Sequence, residues 1–62
     1  MNAALFFVVS FTAIHYGNQA DQSVFQSLRA AKAWANWLRE KPTVYGHVTI
    51  WRGTPGGERV QE

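Results

Sequence analysis

Residues 3–16 read AALFFVVSFTAIHY, and the fold turns on whether this stretch is strand or helix. It concentrates Phe6, Phe7, Val8, Val9, Phe11 and Ile14 and carries no formally charged side chain. β-Branched and aromatic side chains crowd one another on a helix but fit a pleated surface, so Ala3–Tyr16 reads as a strand. Alternation sends Leu5, Phe7, Val9, Phe11 and Ala13 to one face. It sends Ala4, Phe6, Val8, Ser10, Thr12, Ile14 and Tyr16 to the other. Large apolar groups on both faces mark a central strand rather than an edge.

Downstream the chain turns polar at Gly17-Asn18, a strong local turn signal. Residues 23–26 can be read as a short returning strand or as the first helical turn, because Ser23 and Gln26 have capping-box spacing. At about 100° per residue, Phe25 would fall on the charged side of the helix that follows. A short extended segment with Ser27 as N-cap is therefore preferred. From Leu28 to about Lys41, Leu28, Ala31, Trp34, Ala35 and Leu38 form one apolar helical stripe. Trp37 lies on its flank, beside Ala30 and Ala33. Pro42 ends the helix, and Arg39 and Lys41 suit the negative end of its dipole. Tyr45–Arg52 reads as a second long strand, with Val48 and Ile50 on one face and His47, Thr49 and Trp51 on the other.

The expected architecture is α+β: a small two- or three-stranded sheet in β-(β)-α-β order with one amphipathic helix on one face. A right-handed crossover would set the first and last strands side by side and parallel. If the short strand forms, it pairs antiparallel on the other edge of the first. Residues 1–53 make one small domain, and the glycine-rich exit Gly53–Gly57 leads into a flexible tail, so that 54–62 are expected to be mobile.

A chain of 62 residues is near the lower limit for an unaided hydrophobic core. With no cysteine, disulfides and thiolate metal sites are excluded, which leaves association as the remaining reinforcement. The uncharged N-terminal run is shorter than the roughly 20 residues of a spanning helix, and no basic residue precedes Arg29 to make a signal-peptide n-region. A cytoplasmic protein without membrane contact is the expectation. The four acidic residues Asp21, Glu40, Glu58 and Glu62 are not spaced to pair. Alternation puts His15 on the helix side and His47 on the opposite face. Gly53–Gly57 lacks the Lys-Ser/Thr and following helix of a phosphate loop. No catalytic, cofactor or metal site is expected, and the chain reads as no enzyme.

One helix covers one sheet face. The other face, with Phe6, Val8, Ile14, Tyr16, His47, Thr49 and Trp51, is the expected protein interface. The leading reading is a non-enzymatic protein-binding module that self-associates there as a homodimer. Size and composition also fit a phage or mobile-element accessory protein, an inhibitor that binds and occludes a host or defence-system protein. The alternative is a small single-stranded nucleic-acid binder, using the sheet aromatics for stacking and Arg29, Lys32, Arg39, Lys41 and Arg52 for phosphates. Against it, the basic helix stripe and the aromatic face lie on opposite sides of the sheet, and a net charge of +2 is small.

Overall fold

The computed structural model describes residues 6–62, so the expected strand residues Ala3, Ala4 and Leu5 lie outside the described part. Strand β1 spans Phe7–Ala13. Strand β2 spans Gln19–Phe25, helix α1 Leu28–Arg39, strand β3 Tyr45–Arg52, and the two-residue β4 Glu58–Arg59. The sheet is antiparallel throughout, in the order β2-β1-β3-β4, with β1 central as its two apolar faces require.

β1 and β3 are antiparallel, a correction to the parallel pairing expected from the sequence. β2 is a full strand of seven residues and reverses the chain before the helix begins. The crossover through α1 therefore joins β2 to β3; those two run the same way, with β1 between them. The sequence marks only the end of β2, residues 23–26, as a short antiparallel edge strand, because Gln19–Gln22 is polar and holds Ala and Asp, which are depleted in strands. Pairing from Phe7↔Phe25 to Ala13↔Gln19 overrides that preference. Ser23–Phe25 is strand, and the Ser27 hydroxyl accepts from the Ala30 N–H at 3.2 Å, the cap expected of it.

The first strand is shorter than Ala3–Tyr16. After Ala13 the chain enters a single 3₁₀ turn, Ile14–Tyr16, closed by the Gly17 N–H on the Ile14 carbonyl at 3.1 Å. Gly17 and Asn18 both take left-handed φ, 75° and 63°, as a tight reversal into β2 demands. Ile14, His15 and Tyr16 consequently leave the strand alternation.

A bulge interrupts the β1–β3 ladder. Ser10 opposes Thr49 while Thr12 opposes Gly46, so His47 and Val48 together face Phe11. His47 absorbs the extra residue at φ 54°, uncommon for a residue with a side chain. The bulge inverts the alternation below it, and Tyr45, which strict alternation would send to the open face, comes to the helix side opposite Ala13. There its ring meets Phe11 edge to face, 5.6 Å between centroids.

The core lies between α1 and one sheet face: Phe7, Val9, Phe11, Ala31, Ala35, Leu38, Ile50 and Val60. Ala31 and Ala35 let the helix approach β1 and β3 closely, and Leu38 is fully buried. Val60 belongs to the segment 54–62 expected to be a flexible tail. The Gly53–Gly57 turn folds that segment back, β4 pairs with Trp51 and Arg52, and the Val60 N–H donates to the Ile50 carbonyl at 2.9 Å. All described elements thus share one core. Among the described residues no helix is long and apolar enough to cross a membrane.

Candidate functional site

The residues expected to form one interface are not brought together as one apolar patch. Val8 is only 2% exposed without any second chain, because its cross-strand neighbours Trp51 and Val24 flank it. Trp51 is pinned by its indole N–H, which donates to the Ser10 hydroxyl at 2.7 Å. Thr49 lies opposite Ser10, and Thr12 Oγ1 is 3.4 Å from His47 Nδ1. Ser10, Thr12, Ala20, Gln22 and His47 help line a shallow, open hollow of about 400 Å³. The lower half of this face is therefore polar. Ile14 closes over Gly46: a Cβ there would sit 3.1 Å from Ile14 Cδ1. Phe6 is half-buried beside the first residue of β1, and Tyr16 stands apart on the 3₁₀ turn.

The expected basic stripe is divided in the same way. The Arg39 guanidinium makes a bidentate pair with Glu62, Nη1 to Oε1 at 2.7 Å and Nη2 to Oε2 at 2.8 Å. Its Nη2 also donates to the Val48 carbonyl at 3.2 Å. That hydrogen bond to Glu62 raises the Arg39 pKa above its ordinary value and, from the other side, holds the Glu62 carboxyl below its usual range. Arg52 lies over the Phe7 ring, 5.4 Å from its centroid, with Glu58 3.8 Å away. Arg29 is exposed and Lys32 half-buried on the helix, while Lys41 lies just beyond its end, over the Trp37 ring. The cations do not form one phosphate track.

What the fold does assemble is a line of rings along the helix flank and the nearby end of the sheet. Trp34 and Trp37 stack with centroids 5.0 Å apart and planes within 8°. Trp37 meets Tyr45 at 5.9 Å, Tyr45 meets His15 edge to face at 5.3 Å, and His15 meets Tyr16 at 4.2 Å. Lys41 Nζ sits 4.0 Å from the Trp37 centroid, a cation–π contact of about 0.5–1 kcal/mol at an exposed site. The His15 Nδ1 is 3.1 Å from the Val44 carbonyl, which can only accept, so that nitrogen carries the proton. Two rings of the line stand in water: Trp37 is 41% exposed and Tyr16 70%.

The i, i+3 and i, i+4 spacing of Trp34, Trp37 and Lys41 is a helical neighbour pattern readable from sequence. Tyr45 and His15 could not be added that way, because one needs the bulge and the other the 3₁₀ turn. Trp37 is stacked against Trp34 one turn before it and has Lys41 Nζ 4.0 Å from its centroid, so its ring is already engaged by two neighbours. Among the described residues no group of three His, Cys, Asp or Glu side chains could hold a metal ion. No protein-family model, curated protein or solved structure matches this chain.

Proposed function

We propose that this chain is a small non-enzymatic protein-binding module acting in the cytoplasm, and that the aromatic line from Trp34 to Tyr16 is its contact surface. The observation that carries this reading is the placement of Trp37 and Tyr16, large rings each in contact with a neighbouring ring yet left in water. Trp and Tyr supply most of the energy at protein interfaces because a rigid ring buries much area at little entropic cost. Lys41 beside Trp37 asks for a carboxylate on the partner, so the complement is an apolar cleft with an acidic rim. Occlusion of a host or defence-system protein is the mode of action that a domain of this size, with a preformed surface, supports.

The test is retention of a stoichiometric protein from a host extract on the immobilised chain. Retention by the parent and by Val24→Ala, with loss in Trp37→Ala and Tyr16→Ala, is the expected result. Salt-sensitive retention of a single-stranded oligonucleotide that disappears in the Arg29→Gln, Lys32→Gln, Lys41→Gln triple variant would replace this reading with the nucleic-acid alternative.

A further inference from the structure

β2 forms one edge of the sheet; among the described residues no strand pairs with its outer side, where the Gln22 N–H donates to the Asp21 carboxylate at 2.8 Å. It is long for an exposed edge, seven residues, whereas the opposite edge is the two-residue β4. Natural edges are commonly blunted with Lys, Pro or a bulge. Gln19–Phe25 has none of these, and Asp21 is its one charged residue.

We propose that β2 docks against β2 of a second copy of this chain, antiparallel and centred on Gln22, joining the two sheets into one of eight strands. A two-fold axis perpendicular to the sheet keeps equivalent faces on the same side, so the axis must pass through a residue. Centring on Asp21 sets the two carboxylates directly opposite each other. Centring on Ser23 leaves only part of the strand paired and puts Asp21 against Phe25. Centring on Gln22 pairs all seven residues. Asp21 then exchanges its bond from the Gln22 N–H for the Ser23 hydroxyl of the other copy, the freed N–H pairs across the axis, and on the open face Val24 meets Ala20. Val24 gains a neighbour this way; in the single chain it is 60% exposed. At about 4.8 Å between strands, helices lying over β1 and β3 of each copy are separated by about 20 Å, well beyond close packing, and do not collide. This interface is independent of the aromatic line, and it replaces the open face as the surface for self-association.

The experiment exploits the register. Ala20 and Val24 are both exposed, so charging them spares the core. In Ala20→Lys/Val24→Glu the proposed pairing sets Lys opposite Glu twice, and in Ala20→Lys/Val24→Lys it sets Lys opposite Lys twice. Light scattering and sedimentation from low micromolar to millimolar concentration should show a monomer–dimer equilibrium for the parent and for the Lys/Glu variant at low salt. The Lys/Lys variant should dissociate at least about tenfold more readily, with an unchanged circular dichroism spectrum. A parent that stays monomeric at millimolar concentration overturns the proposal, as does any result in which the two double variants associate alike or in the reverse order. Trp37→Ala should leave the dimer intact, which separates failure here from failure of the protein-binding reading.

Discussion

Val60→Ala is the sharpest probe of how this fold closes. Val60 is 7% exposed and packs in the same cluster as Ile50 and Leu38, although it lies in a polar stretch after a glycine-rich turn. Removing two methyl groups forfeits about 1.6 kcal/mol of transfer free energy at ~0.8 kcal/mol per methylene. The unfilled space adds to this, so a total of about 2 kcal/mol is expected. A domain of this length has roughly 3–9 kcal/mol in all, by the usual per-residue stability. The loss should lower Tm by about 8–16 °C and move the urea midpoint without changing the slope. Val24→Ala, an equal truncation at an exposed site, is the control and should stay within about 0.5 kcal/mol. Equal midpoints for the two variants would show that residues 58–62 do not close the core.

Leu38→Ala should cost about 2–5 kcal/mol in the same urea titration, because Leu38 is fully buried at the centre of the helix–sheet layer. The Arg39–Glu62 pair predicts a pH dependence. The folded Glu62 pKa is lowered, so its stabilisation is present above the unfolded carboxylate value and is lost as pH falls through the folded one. With the Arg39 side chain 38% exposed, the effect is at most about 1 kcal/mol. Glu62→Gln should flatten the urea midpoint against pH below about 4.3 relative to the parent.

The helix was legible in full, and so was the apolar half of the sheet, because Leu28, Ala31, Ala35 and Leu38 keep one period and Phe7, Val9 and Phe11 another. Three features broke those periods. β2 is polar because its outer edge and much of its surface face water, so no hydrophobic alternation announces it. The bulge at His47 adds one residue and shifts Tyr45 between faces, which no period-two count can register. Val60 is a single apolar side chain in a polar segment, and only the return of the chain along β3 makes it part of the core. The expected interface inherited these errors. Val8 and Trp51 shield each other across the sheet, and Tyr16 left the strand altogether.

The distribution of the rings separates what stabilises this molecule from what it presents. Phe7 and Phe11 are buried, and Trp34 and Tyr45 lean on the core without being enclosed by it. Trp34 even leaves its indole nitrogen buried without a hydrogen bond, a loss of about 1–3 kcal/mol for an orphaned donor. Trp37 adds little to the core, since Ala31, Ala35 and Leu38 already fix the helix against the sheet. Its contacts are a stacked neighbour and a cation, each on the order of 1 kcal/mol. Truncating it should therefore leave a folded protein while removing a large part of the exposed aromatic surface. A core residue such as Leu38 has the opposite profile: its loss weakens the fold and uncovers nothing that was previously available to a partner. On the proposed reading, stability and recognition fall on different faces of the same helix, so binding and folding can be measured as independent quantities in one small domain.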